Sequence, residues 1–257
     1  MASMWLVLGF ALLVTLLMRY VLMGVTDPEN SKILYILPLT CIFLIPTLHR
    51  TIMPERFVEH YGGGTWFKAA FLHTFTFLAL SFLLVNPPFG DIAAPELAKS
   101  WTVITDDGEE IEYPFDVSTK GTTLVWHTNG STTLQGDAWL LFGLMDNKNS
   151  DGATVNVTRT YQNSPTTGEL NTSYYIDNLE AIKNGTSSSN DTSPNLTPHG
   201  DQDQPFAIFL GTDLGEGTHD IKVVITEDGD PWENVQTYYW TLEIINASPF
   251  DQDSISE

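Results

Sequence analysis

Phe67–Val85, FKAAFLHTFTFLALSFLLV, followed at once by Asn86-Pro87-Pro88, divides this chain in two. The stretch is long enough to cross the hydrocarbon of a bilayer as a helix, its one charge, Lys68, sits at its start, and the two prolines then end it. Residues 1–87, up to this stop, hold five Lys/Arg and four Asp/Glu; residues 88–257, beyond it, hold six and 28. An apolar, nearly neutral segment therefore precedes a strongly acidic one.

Two further apolar runs lie upstream. The first, Trp5 to Val25, is broken only by Arg19. Residues 1–4 carry no Lys or Arg and no small-x-small cleavage site follows the run, which favours a retained span over a signal peptide. The second, Ile33 to Leu48, holds Pro38 and Pro46 and is expected to kink. The connection between the second and third runs carries Arg50, Arg56 and then Lys68, whereas the connection between the first two carries Asp27 and Glu29. The excess of basic residues predicts that the loop at 50–66 and the N-terminus are cytoplasmic and that the chain beyond residue 88 is extracellular. Phe57, Val58 and Tyr61 share one helical face suited to a membrane surface, and Gly62-Gly63-Gly64 reads as a flexible re-entry. Arg19 is expected to snorkel towards the end of its helix, since no span offers an acid to pair with it. Ala69, His73, Thr76 and Leu80 form a small and polar stripe suited to helix packing; a haem ligand at His73 would need a second axial residue, and no other histidine lies at mid-span.

Composition narrows the acidic half. An acidic surface disfavours nucleic acid and anionic lipid as partners. Beyond residue 88, Asp outnumbers Glu by 17 to 11 and Lys is sparse, the composition of a surface that stays hydrated in concentrated salt; a halophilic or marine archaeal source fits it, as does an ordinary acidic surface protein. The single cysteine, Cys41, lies in the second apolar run, so the acidic half has no disulfide and no thiolate metal site.

After a linker at 89–99, segments rich in β-branched and aromatic residues alternate with Gly, Asn and Asp turns: Ser100–Thr105, Thr122–Thr128, Asp137–Met145, Ala153–Tyr161, Pro205–Leu210, Thr218–Thr226 and Gln236–Ile245. Ile221, Val223 and Ile225 point one way in one strand, and Tyr238, Trp240, Leu242 and Ile244 in another. No convincing helical period appears among them. The expected architecture is membrane-anchored all-β: a three-helix transmembrane anchor over 1–88, then an antiparallel β-sandwich over 100–247 with a polar loop at 183–204, and a disordered acidic tail at 248–257. The run from Gly217 to Gly229 (GTHDIKVVITEDG), followed by Gln236–Ile244 (QTYYWTLEI), resembles the last two strands of the Ig-like and PKD-like surface domains of bacteria and archaea, in which a Gly-Thr-Tyr-x-Val-x-Leu-x-Val-x-Asp strand precedes a Gly-containing turn and a final alternating strand. The resemblance covers about thirty residues and implies the fold class and a role as an adhesion, spacing or assembly module. The Trp-Asp-Phe-Gly-Asp-Gly stretch of PKD domains is absent, with Leu124-Val125-Trp126-His127 the nearest run, and no binding residues are carried over.

Asn129, Asn156, Asn171, Asn184, Asn190, Asn195 and Asn246 each open an Asn-x-Ser/Thr triplet, seven where composition gives roughly two or three by chance. All follow residue 88. They read as glycan acceptors, although Asn and Thr are also simply common in turns and on polar strand faces. Asn147-Lys148-Asn149-Ser150-Asp151-Gly152 places oxygen-bearing side chains at the first, third and fifth positions of a calcium-type loop, with Gly at the sixth and Asp146 just ahead. Its closing Glu is replaced by Thr158, and an Asn/Asp-rich turn explains the same letters. Asp201 with Asp203, and Asp228 with Asp230, are further oxygen pairs. Ala138 to Met145 is apolar on both faces, so Trp139, Leu141 and Met145 either lie under neighbouring loops or meet a partner. No nucleophile elbow, phosphate loop or His-Glu-x-x-His is present, and His127, His199 and His219 show no ligand spacing, so a non-enzyme is expected. Calcium is the one cofactor the spacing suggests; the expected partners are the lipid bilayer and a protein or envelope glycan. The leading reading is a surface binding or assembly module, and the alternative is a non-catalytic accessory subunit of a membrane transport or respiratory complex.

Overall fold

The computed structural model describes residues 2–26, 31–116, 121–146, 152–187, 193–200 and 202–247. The chain forms two compact units, Met1–Ala93 with Gly229–Glu233, and Ala94–Asp228 with Asn234–Glu257.

The first unit is helical. α1 (Ala2–Leu17) continues through a π-helical turn, Met18–Leu22, and a 3-10 turn, Met23–Val25; α2 (Ser31–Thr40) passes through a 3-10 turn, Cys41–Leu44, into α3 (Ile45–Ile52); α4 (Glu55–Val58) is a single turn, and α5 spans Gly63–Val85. Three stretches are long and apolar enough to cross a membrane, Ala2–Val25, Lys32–Ile52 and Gly63–Val85. In the second, the change of helix type falls between Pro38, inside α2, and Pro46, in the first turn of α3 where its missing N–H costs nothing. Gly62-Gly63-Gly64 does not form a loose re-entry. Gly62 is the extended residue before α5, its carbonyl accepting from the amides of Thr65 at 2.9 Å and Trp66 at 3.3 Å, and the next two glycines open the helix.

The buried row of α5 is Ala69, His73, Phe77, Ser81 and Val85, a strict four-residue repeat, rather than Ala69, His73, Thr76 and Leu80. It lies along the buried residues of α1, Val7, Ala11, Val14 and Thr15, where small side chains allow a close approach. On the outside of α5, Phe67, Phe71 and Phe75 form an exposed aromatic ladder with centroid spacings of 6.4 and 6.1 Å. An apolar surface of this kind is stable against lipid and a liability in water.

The second unit contains two antiparallel-rich sheets. The strands are β1 (Glu96–Asp106), β2 (Ile111–Tyr113), β3 (Thr123–His127), β4 (Thr133–Met145), β5 (Thr154–Tyr161), β6 (Ser164–Thr167), β7 (Glu169–Leu170), β8 (Thr186–Ser187), β9 (Gln204–Gly215), β10 (Gly217–Glu227) and β11 (Asn234–Ile245). One sheet has the order β7-β9-β4-β1-β2-β8 and the other β3-β11-β10-β5-β6. The pattern is not purely antiparallel: β3 runs parallel to β11, and β2 parallel to β8. β1 begins at Glu96, so the end of the expected linker is already strand, pairing Glu96 with Met145 and Leu97 with Leu144.

Period-two alternation builds the core. Trp101, Leu140, Phe142, Phe206 and Ile208 from one sheet meet Val157, Ile221, Val223, Trp240 and Leu242 from the other, and each large side chain so buried contributes about 1.5–3 kcal/mol. Trp101 and Trp240 stack at 4.7 Å with Phe142 edge-on to Trp240, and the Trp101 indole N–H donates to the Gly121 carbonyl at 2.9 Å. The opposite face of β4 is covered by the chain itself. Two short helices absent from the sequence expectation, α6 (Tyr174–Asp177) and α7 (Leu179–Asn184), place Tyr174, Tyr175 and Ile182 with Leu196 over Trp139 and Leu141. Gly143 is required here, because a Cβ would strike the Leu196 carbonyl oxygen.

Candidate functional site

The most strongly constrained polar centre of the helical unit is Arg19. It lies in the π-helical turn that follows α1 and is 4% exposed. Its Nε donates to the Leu84 carbonyl at 2.9 Å, and its Nη2 donates to the Phe89 carbonyl at 3.2 Å and to Asp230 Oδ2 at 2.5 Å. Leu84 is in the last turn of α5, where carbonyls have no helical partner and the helix dipole favours a cation. Arg19 therefore does not simply snorkel to solvent: it caps a neighbouring helix and is neutralised by an acid 211 positions away. Phe89 and Gly90 fold back on the same helix end through amides donated to the Asn86 carbonyl, and a Cβ on Gly90 would come within 2.6 Å of the Leu84 oxygen.

Asp230 belongs to Gly229–Glu233, the segment of this unit that in sequence joins β10 to β11. Backbone bonds exchanged between Asp91 and Asp230, at 2.9 and 2.8 Å, fix it as a strap. Two residues on, the Trp232 indole N–H donates to the carbonyls of Met23 at 3.0 Å and Thr26 at 2.7 Å, at the end of the first long helix. The ring itself packs with Met23, Leu34 and Val85. One strap thus satisfies orphan carbonyls at one helix end directly and, through Arg19, completes the cap of another. In the sequence Asp230 reads as an oxygen ligand, and Trp232 belongs to no motif. The readable signal was a tryptophan beside a proline in a turn, a costly residue to leave in solvent.

In the β unit, the six acceptor asparagines within the described residues, Asn129, Asn156, Asn171, Asn184, Asn195 and Asn246, are all exposed. Asn156 lies on the outward face of β5, between buried Val155 and Val157. Asn171 has the most defined setting: its Oδ1 accepts from the Ser173 amide and hydroxyl, both at 3.2 Å, and from the Tyr174 amide at 3.1 Å. All three bonds use the oxygen, and a glycan would be carried on Nδ2. Asn190 lies outside the described residues.

Asn147, Asn149 and Asp151, the calcium-type spacing, also lie outside the described residues. Next to them, carboxylate oxygens of Asp146 and Glu227 approach within 4.8 Å. Thr158, the closing position of that spacing, is a strand residue of β5 opposite Lys222. Asp203 belongs to a tight turn in which its Oδ2 accepts from the His199 amide at 2.7 Å; Asp201 is outside the described residues, and Asp228 is exposed. Trp139 and Leu141 are buried, with the Trp139 ring stacked on Tyr174 at 3.8 Å, while Met145 is 38% exposed. Tyr174 donates its hydroxyl to Asp106 at 2.6 Å, and burial, reinforced by that carboxylate, holds the phenol protonated well above its ordinary range.

The histidines serve packing. His73 is buried with its ring between those of Phe10 and Phe77. His219, fully buried, lies flat on Tyr161 at 4.3 Å, with Nε2 2.8 Å from the Gly215 carbonyl and Nδ1 3.0 Å from Arg159 Nη1. A guanidinium only donates, so Nδ1 accepts, and the proton sits on Nε2, where it is donated to Gly215. The ring is thereby neutral, and burial lowers its pKa further from the ordinary value.

Compared with known proteins, the sequence matches no protein-family model and no curated protein.

Proposed function

We propose that this chain is an integral membrane protein whose acidic, glycosylated, Ig-like module faces the exterior as a binding or assembly domain. The observation that carries the reading is the partition of the surface: every described acceptor asparagine is exposed on the β unit, and none falls in the helical unit with its three apolar stretches. The strand order supports the Ig-like assignment. β1-β4-β9-β7 corresponds to A-B-E-D, and β11-β10-β5-β6 to G-F-C-C′, with β3 added beside the last strand. The loop at 50–66, with Arg50, Arg56 and Lys68 at its borders, supports a cytoplasmic position for that loop.

Affinity purification of the full chain in mild detergent tests this role. Recovery of envelope proteins or glycans through the β domain is the expected result. A fixed stoichiometry with transporter or respiratory subunits that survives charge-reversing substitutions across the exposed face of the β domain would instead make the protein an accessory subunit held by its spans.

A further inference from the structure

We propose that the hollow lined by Arg50, Glu55, Val58, Glu59, Tyr61 and Trp66 binds the headgroup of a zwitterionic phospholipid, a phosphate bearing an ammonium arm. It is an open cavity of about 570 Å³, within the size range of small-molecule sites. It lies between the end of the second apolar stretch at Ile52 and the start of the third at Gly63, which is headgroup depth if those stretches span the bilayer; the inference rests on that reading.

The walls are aromatic and held from behind. Tyr61 and Trp66 meet edge to face at 5.2 Å and 73°, and both line the hollow, where an aromatic face can attract an organic cation. His49, fully buried, packs edge-on against both rings at 5.8 and 5.6 Å. Its Nδ1 donates to the Ile45 carbonyl at 2.9 Å, and its Nε2 lies 3.1 Å from the Ser3 hydroxyl. The Tyr61 hydroxyl donates to Met53 Sδ at 3.6 Å. His49 thus holds the two rings from behind.

The charges around the rim select the ligand. Glu55 and Glu59 are one helical turn apart and exposed, Arg50 is exposed opposite them, and none of the three has an ion-pair partner among the described residues. Two carboxylates beside ring faces favour an ammonium. They disfavour an isolated anion, while one guanidinium supplies the fork that a phosphate diester oxygen needs. A purely anionic headgroup leaves the carboxylates opposed to like charge, and a simple cation leaves Arg50 unused.

The test uses the full chain extracted in detergent and delipidated, with lipid retention read by native mass spectrometry. Lipids of identical chains carrying either a phosphoethanolamine or a phosphoglycerol headgroup are offered in turn, and water-soluble glycerophosphoethanolamine is offered separately. Retention of the ethanolamine lipid about fivefold or more above the glycerol lipid is expected, with soluble glycerophosphoethanolamine far weaker. Glu59→Gln and Trp66→Leu should each abolish that preference, and Trp66→Phe should keep most of it. Equal retention of the two lipids, or a preference unchanged by Glu59→Gln at an exposed position that folding does not need, overturns the proposal. Equally tight binding of the soluble compound overturns the lipid assignment. A chain recovered from the soluble fraction would instead defeat the membrane reading itself.

Discussion

Arg19 and Asp230, separated by 211 positions in sequence, form an ion pair of 2.5 Å in which the arginine is 4% exposed and the aspartate side chain 56% exposed. The asymmetry sets the consequences of breaking it. Arg19→Met removes the cap from the Leu84 and Phe89 carbonyls as well as the pair, and is expected to destabilise the helical unit by about 3 kcal/mol. Asp230→Asn leaves the buried Arg19 charge its carbonyls and a neutral acceptor but no counter-ion, so about 2–3 kcal/mol is expected, the exposure of Asp230 screening part of the loss. Thermal unfolding in detergent should show the double variant no less stable than Arg19→Met alone.

Gly90→Ala probes the same helix end from the other side. With a Cβ only 2.6 Å from the Leu84 oxygen and 3.0 Å from the Val85 backbone, the turn must move and drag the carbonyls away from Arg19. A loss of roughly 1–3 kcal/mol is expected in wild type and a smaller one in the Arg19→Met background; equal losses in the two would show that the turn and the arginine act independently.

His219 gives the β unit a defined acid sensitivity. Its pKa is lowered in the folded state, so the unfolded chain binds the extra proton first. The contribution is fully present above the ordinary histidine pKa of about 6.5 and is lost as pH falls below it, at up to about 1.4 kcal/mol per pH unit. Among the groups around the ring, Tyr161 stacks on it, the Arg159 guanidinium opposes its protonation and the Asp220 carboxylate favours it. Urea midpoints of wild type should fall from pH 7 to 5, and His219→Phe should be less stable at pH 7 but show a flatter profile; parallel profiles would assign the acid sensitivity to other groups.

Trp139 discriminates a core role from a binding role. Stacked on Tyr174 at 3.8 Å and covered by α6, α7 and Leu196, it is expected to cost about 3–5 kcal/mol on replacement by Ser, seen as reduced yield and a lower unfolding temperature. A Trp139→Ser protein of wild-type stability that loses a partner would instead place that side chain at an interface.

These sites also show what could be read in advance. The longer strands are legible as β-branched and aromatic runs: β5, β10 and β11 bury one face, so period two survives in the letters, whereas β1 and β4 are buried on both faces and read as continuous apolar runs. The cover over Trp139 is not legible: α6 and α7 are four and six residues long, too short for a helical period to register. The Arg19 partner is not legible in the apolar runs, because Asp230 arrives through a turn between two strands 211 positions away. The α5 stripe was misplaced because a small-residue rule looks past Phe77, which is completely buried against α1 and α2 neighbours. The short strand β8 and the parallel β3–β11 pair depend on tertiary placement that no local pattern encodes.

Glycosylation is checked site by site. In protein from the native host, Asn156→Gln should remove one glycan mass without loss of stability, and Asn171→Gln should remove one glycan mass while lowering stability, since it also loses the bonds from Ser173 and Tyr174. An unmodified mass at both sites would leave the triplets as ordinary polar surface.

Sidedness is tested most directly by labelling intact cells with a membrane-impermeant maleimide. In a Cys41→Ser background, Lys222→Cys on the exposed face of β10 should label without permeabilisation, and Arg56→Cys in the loop between the second and third apolar stretches only after it. The reverse pattern would put the β domain in the cytoplasm and contradict the account.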